Sequence, residues 1–287
     1  MGSGVCPIYQ TLAAARARLE AAGISPREAA VDVDLFARAA LGWDRARLLS
    51  EQRAATPDGL EPAFSTWLTR RERREPSAYI IGSREFWGLD FRVTPDVLIP
   101  RPETEFIVEE TLALVKAGHA AARIAEIGTG CGAIAVSLAT ELPASYTATD
   151  VSPGALAVAR DNAAVAGVDT RITFIETSYL DGIEGPFDIV VSNPPYVKAG
   201  DKPALSAEVK HEPDVALFGG PTGMVHVEAV LDAALRVLPS GGWLVMEFGF
   251  GQDETVEALI ALRPGLRLER IREDLQGIPR TAVVQRR

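Results

Sequence analysis

The tetrapeptide Asn193-Pro194-Pro195-Tyr196 directly follows the run Phe187-Asp188-Ile189-Val190-Val191-Ser192. Neither proline can donate a backbone hydrogen bond, and each holds φ near −65°. A residue before proline is biased away from the helical region. The sequence therefore predicts a stiff, extended turn at the end of a strand. It offers one side-chain amide, free backbone carbonyls and one aromatic ring. Those groups suit a planar NH2 group better than a phosphate or a metal.

A second constellation is Glu126-Ile127-Gly128-Thr129-Gly130-Cys131-Gly132-Ala133. Its glycines allow a tight turn and let a ligand approach the backbone. Gly128-x-Gly130-x-x-Ala133 also meets the loose dinucleotide fingerprint, so a nicotinamide nucleotide is one reading. Asp150 stands just before Ser152-Pro153, where a carboxylate can accept from both hydroxyls of a ribose; that serves NAD and S-adenosylmethionine equally. Two features favour S-adenosylmethionine. Glu126 would repel a pyrophosphate but tolerate a sulfonium or ammonium, and a dehydrogenase has no use for Asn-Pro-Pro-Tyr. Cys131 reads as a small residue filling the loop rather than a reactive thiol. His119, His211 and His226 match no metal-ligand spacing, so no metal is expected.

The elements that must position these groups change in texture along the chain. Residues 11–22, 26–41, 45–51 and 57–74 read as helices, with Gly23 and Gly42 as C-terminal stops and Ser25-Pro26 as an N-cap followed by proline. Tyr79-Ile80-Ile81 and residues 85–93 read as a β-hairpin. Pro102 and its acidic neighbours suit a first helical turn, followed by an apolar face over 106–115. Strands are expected at 123–127, 146–149, 172–175, 187–192 and 243–248, alternating with helices at 133–140, 153–166 and 225–238. Residues 266–272 and 281–285 read as two further strands with no helix between them, which should pair antiparallel. The expected organisation is a helical domain over 1–75, a hairpin linker over 76–97 and a doubly wound α/β domain over 98–287.

The chain has 287 residues and is 47% hydrophobic, enough for a sizeable core. No stretch approaches the ~18–20 apolar residues of a membrane span, and the N-terminus lacks a leader pattern. Two cysteines imply no disulfide framework, so a cytoplasmic location is expected. Residues 1–90 carry 12 basic and 12 acidic side chains, whereas residues 91–287 carry 17 and 27, the whole net charge of −10. A duplex-binding domain normally shows a basic footprint, so stable nucleic-acid binding is not expected. The basic cluster Arg70, Arg71, Arg73 and Arg74 reads as a solvated helix face or a docking patch. No long apolar stripe is evident, which points to a monomer.

Asn193-Pro194-Pro195-Tyr196 resembles the motif of class I methyltransferases acting on planar nitrogens, among them adenine-N6 DNA, rRNA guanine and protein glutamine methyltransferases. Pro76–Gly82 (PSAYIIG), Phe86–Val93 (FWGLDFRV), Leu98–Glu105 (LIPRPETE), residues 126–139, Glu212-Pro213, Ala216–Gly220 (ALFGG), Asp274 and Gly277–Arg280 (GIPR) resemble the HemK/PrmC family of peptide chain release factor N5-glutamine methyltransferases. The resemblance covers nearly the whole chain. It implies a class I fold with a seven-stranded, mostly parallel sheet and a small N-terminal helical domain. It also implies methyl transfer from S-adenosylmethionine, leaving S-adenosylhomocysteine, to the glutamine of the Gly-Gly-Gln motif in class 1 release factors. A DNA adenine-N6 or rRNA base methyltransferase is the alternative. Carried over, Gly128, Thr129, Gly130, Cys131 and Gly132 form the cofactor loop and Asp150 holds the ribose. Asn193, Pro194, Pro195 and Tyr196 hold the glutamine, with Tyr196 on the amide face and Asn193 also bordering the cofactor. Cys131 replaces the family's usual Ser or Thr, and Pro221-Thr222-Gly223 lacks an acid often found there. Thr177-Ser178-Tyr179 occupies the stretch where the family often has an acid followed by an aromatic or apolar residue, and Ser178 is counted with the cofactor residues.

Overall fold

The structure, a computed structural model, describes residues 6–287. Gly2-Ser3-Gly4, which reads as either a cloning remnant or a natural end, lies outside the described residues. The chain forms two compact units: Met1–Gly82 with Ser206–His211, and Ser83–Leu205 with Glu212–Arg287. After Leu205 the chain leaves the second unit, gives six residues to the first, and returns at Glu212.

The first unit is helical: α1 (Ile8–Ala21), α2 (Pro26–Leu41), α3 (Arg45–Ser50), α4 (Ala63–Glu72) and α5 (Ser77–Ile81). Ser25 and Glu28 form a reciprocal capping box at the start of α2, and Gly42 closes it in the left-handed region at φ 62°. Leu12, Leu19, Val33, Phe36, Phe64 and Leu68 fill the core. The helix expected over 57–74 is interrupted. Asp58–Leu60 forms a separate 3-10 turn and α4 starts after Pro62, because an internal proline would clash with the carbonyl four residues back. Tyr79-Ile80-Ile81 lies in a helix, not a strand; Gly82 ends it at φ 82° and Ile80 joins the helical core. Burial overrides the β preference of these side chains.

The arginine cluster is also not a uniform solvated face. Arg71 is 3% exposed. Its guanidinium donates to Asp32 at 2.7 Å and to Glu208 at 2.8 Å, while Arg74 donates to Glu208 at 2.7 Å. Arg70 pairs with Glu75, and Arg73 is exposed.

The second unit opens with a hairpin, β1 (Ser83–Phe86) and β2 (Leu89–Arg92), turning at Trp87-Gly88 with φ of 54° and 69°. The next elements are α6 (Glu105–Lys116), β3 (Arg123–Ile127), α7 (Ala133–Glu141), β4 (Ser145–Asp150), α8 (Pro153–Val165), β5 (Ile172–Glu176) and β6 (Ile189–Ser192). They are followed by α9 (Asp214–Leu217), α10 (Val225–Val237), β7 (Trp243–Glu247), α11 (Asp253–Ala261), β8 (Leu266–Glu273) and β9 (Pro279–Arg286). The sheet order is β5-β4-β3-β6-β7-β9-β8; β9 runs against the direction of the other six, so that β7-β9 and β9-β8 pair antiparallel. Every residue of β6 and β7 is buried, as a parallel sheet covered on both faces requires. The helix α11 is not expected from sequence; among its nine residues only Val256 and Ile260 are buried, too few to mark a clear helical period.

Candidate active site

Strand register assembles the site. Ile127 pairs with Thr149 and with Ser192, and Ser192 pairs with Met246. The next residue on each strand therefore falls in one row at the carboxyl ends: Gly128, Asp150, Asn193 and Glu247. Ligands of open α/β sheets bind at that edge, at the point where strand order reverses; here that is between β4-β3 and β6.

A cavity of about 200 Å³ opens along this row. On one side the loop after β3 carries Gly128, Gly130 and Gly132 at φ of 74°, 55° and 84°, which L side chains rarely adopt. A Cβ on Gly132 would also lie 3.2 Å from that of Ala159. Asp150 braces the loop: Oδ2 accepts from Gly130 N and Oδ1 from Ser152 N, both at 2.9 Å. Burial raises its carboxyl, against those backbone bonds. An ionised carboxylate has about four acceptor sites, so each oxygen retains one for a ligand hydroxyl. Glu126 Oε2 accepts from Thr129 Oγ1 at 2.6 Å and from Ala135 N at 3.1 Å. Its Oε1 is buried without a partner, and burial pushes the group up to about 8. Burial likewise pushes the Cys131 thiol up to about 12, so no thiolate is available at neutral pH.

On the other side Asn193 is held from the LIPRPETE segment. Asn193 Nδ2 donates to Thr104 Oγ1 at 3.0 Å, and Thr104 Oγ1 donates to Glu247 Oε2 at 2.7 Å. Tyr196 Oη donates to Glu247 Oε1 at 3.0 Å. Burial pushes Glu247 up to about 7, against those two hydrogen bonds. Among the described residues no donor reaches Asn193 Oδ1 or the Pro194 carbonyl. Two further motifs fix the surroundings. Buried Glu212 accepts from Ile99 N at 3.0 Å and from Arg101 at 2.5 Å, pinning the segment that delivers Thr104. The ALFGG stretch pairs beside the turn, with Val197 N on Leu217 O and Gly219 N on Val197 O.

The cavity wall includes Gly128, Thr129, Gly130, Cys131, Asp150, Ser178, Asn193, Pro194 and Pro195. Two residues expected at the site, Gly132 and Tyr196, do not line it. Gly132 serves as the helix cap of α7. The Tyr196 hydroxyl is tied to Glu247, and its ring lies so close to Gly249 that a Cβ there would sit 2.9 Å from Cδ2. Sequence pattern does not single out Thr104, Glu247, Tyr179 or His226 as site residues. Tyr179 and His226 line the cavity and share a 2.9 Å hydrogen bond. Thr104 sits in a recognised motif, but nothing in the apolar run of β7 marks Glu247 except a carboxylate ending a buried strand.

The described residues hold no cluster of His, Cys, Asp and Glu fit to bind a metal ion. No helix among them is long and apolar enough to cross a membrane.

Comparison with known proteins agrees with this geometry. The family model described as PrmC N-terminal domain matches residues 10–82, and that described as Methyltransferase small domain matches 104–217. A protein of Bradyrhizobium diazoefficiens named release factor glutamine methyltransferase is 39% identical over 97% of this chain and 94% of its own length. The chain belongs to the release factor glutamine methyltransferase family. A second member, from Geobacter sulfurreducens, is 45% identical over 79% of this chain and 80% of its own. The family's fold extends further: the catalytic domain of hMettl16 superposes with a TM-score of 0.59 at 17% identity, covering 88% of this chain and 90% of that one. At that identity the likeness concerns fold alone.

A member of this family is a methyltransferase using S-adenosylmethionine, and the cavity fits that donor. The unpartnered, buried Oε1 of Glu126 calls for a cationic or hydrogen-bonding group. Asp150 retains acceptor sites for a ribose, and the wall between them is largely apolar, including Val97, Leu98, Ile134 and Ala155.

Proposed function

We propose that this chain methylates the side-chain amide nitrogen, N5, of the glutamine in the Gly-Gly-Gln motif of class 1 peptide chain release factors. The observation carrying this reading is the Asn193 amide: Nδ2 is committed to Thr104, so Oδ1 and the Pro194 carbonyl are two acceptors left for one planar NH2 group. The names of the relatives support the choice of a protein glutamine as acceptor.

S-adenosylmethionine supplies an electrophilic methyl on a sulfonium. The residues of the chain provide position and electrostatics. Gly128, Thr129, Gly130 and Cys131 cradle the donor, Gly132 caps the helix behind the loop, Asp150 takes the ribose hydroxyls, and Ser178 borders the far end. Asn193 Oδ1 and Pro194 O accept from the glutamine NH2 and fix its plane. An amide nitrogen is a poor nucleophile because its lone pair is delocalised, so in-line placement contributes most; well-oriented encounters are worth ~7–11 kcal/mol. The same acceptors stabilise the positive charge that grows on nitrogen during attack. An N-methylated amide cation is strongly acidic, so no dedicated base is required. Pro195 stiffens the turn, and Tyr196 props it from behind through Glu247. The enzyme acts as a cytoplasmic monomer in this reading.

The test is labelled-methyl transfer to purified release factor, to its Gln→Ala variant in the Gly-Gly-Gln motif, and to duplex DNA. Label on the intact factor alone is expected. Label on DNA and none on release factor overturns the reading.

A further inference from the structure

The hydrogen-bond chain behind Asn193 has a direction. An ionised carboxylate only accepts, so Glu247 Oε2 takes the single hydroxyl proton of Thr104. Thr104 Oγ1 then has only lone pairs to offer Asn193, which must answer with Nδ2. The opposite amide rotamer would face Oδ1 against a lone pair of Thr104. Glu247 is 2% exposed and Thr104 4%, so no bulk water relaxes this constraint, and buried polar networks of this kind are costly to leave half satisfied.

We propose that Glu247 is a positioning residue for methyl transfer: through Thr104 it locks the Asn193 amide with Oδ1 toward the acceptor nitrogen. This rests on the functional reading above, in which Oδ1 meets a glutamine NH2. Tyr196 on the other oxygen of Glu247 holds the carboxylate plane.

The lock has a protonation state. With a proton on Oε2, Glu247 donates to Thr104, whose hydroxyl then donates onward. The Asn193 amide turns to offer Oδ1 inward and points its own NH2 at the acceptor NH2, two donors face to face. Burial, with Glu103 adding to it, raises this carboxyl to about 7, while Thr104, Tyr196 and Arg280 lower it. Arg101 also acts on Tyr196. These charged and titratable groups face the pair from residues 101–104, the segment after β6, and β9. Activity tied to the ionised form rises with pH through about 7.

The experiment measures kcat and KM for release factor, and Kd for S-adenosylmethionine, from pH 5.5 to 9. The proteins are wild type, Thr104→Val, Thr104→Ser and Glu247→Gln. Thr104→Val keeps the shape of the side chain and removes the hydroxyl. The expected result is a kcat at least ~10-fold lower in Thr104→Val and Glu247→Gln, with donor Kd within ~3-fold of wild type and the limb near pH 7 abolished. Thr104→Ser, which restores the hydroxyl, recovers most of the kcat. Wild-type kcat in Thr104→Val, or retention of the pH limb in both variants, overturns the proposal. So does a loss of donor binding that parallels the loss of kcat, since that marks a merely structural role. Wild-type methylation of release factor in the same series separates a failure of this role from a failure of the functional reading.

Discussion

Asn193 shows how much of one residue's chemistry is written in its neighbours. Its type, the two prolines and the preceding apolar run are enough to point to an acceptor site for an NH2 group. What they do not carry is the orientation of the amide, which depends on Thr104, 89 positions away, and on Glu247 beyond it. Contacts of that span come from tertiary packing, with Thr104 in the turn before α6 and Glu247 at the end of β7, not from local pattern. Tyr196 makes the same point in reverse, because its place in the motif suggests contact with the acceptor while its hydroxyl is committed to Glu247. Truncating Asn193 to alanine removes an acceptor that matters most as charge develops, and comparable losses of one preorganised group cost about 10²–10³ in kcat. Asn193→Ala is therefore expected to lower turnover of release factor by at least ~100-fold while donor Kd, measured by calorimetry, changes only a few-fold. Near-normal turnover would remove Asn193 from the chemistry.

Among elements, β6 and β7 are the most legible because Ile189-Val190-Val191 and Trp243-Leu244-Val245-Met246 are short apolar runs, and β3 occupies the residues expected for it. The failures share a cause. In α5 the β-branched texture of Tyr79-Ile80-Ile81 loses to burial against the helical core, and α11 presents too few buried positions to declare a period. ALFGG is recognised only by resemblance; its physical role is to pair alongside Val197 and support the turn. Gly219 is the tightest point of that support. A Cβ there would lie 2.6 Å from both Pro195 O and Gly223 O, and backbone cannot yield as a side-chain tip can. Overpacking of this kind costs about 1–3 kcal/mol. Gly219→Ala should lower kcat through displacement of the Pro194-Pro195 carbonyls and lower the unfolding midpoint. An alanine variant with unchanged kcat and midpoint would show that the turn does not depend on this contact.

At the scale of the whole molecule, the sequence does not reveal that the chain returns to its helical unit between the Asn-Pro-Pro-Tyr and ALFGG motifs. Residues 206–211 have no hydrophobic period, and their role is carried by one carboxylate. Glu208 closes a network with Arg71 and Arg74 in which Arg71 is almost fully buried. Burial alone would raise the Glu208 carboxyl, but the hydrogen bonds from Arg74 and Arg71 outweigh it and hold the group at about 2. An unfolded glutamate titrates near 4.3. A depressed folded value means the group stabilises the fold above the unfolded value, and this contribution disappears as pH falls from there through about 2. Solvent screening at this partly exposed carboxylate discounts the roughly 3 kcal/mol that a shift of this size would otherwise carry. Urea unfolding of the helical unit, followed by Trp43 and Trp67 fluorescence in a Trp87→Phe, Trp243→Phe background, should show a midpoint that falls between pH 4.5 and 2. Glu208→Gln should start lower at neutral pH, because Arg71 keeps only Asp32 as a charged partner, and should lose most of the added acid dependence. If the Gln variant and its parent instead decline in parallel over that pH range, Glu208 is not what ties residues 206–211 to the helical unit.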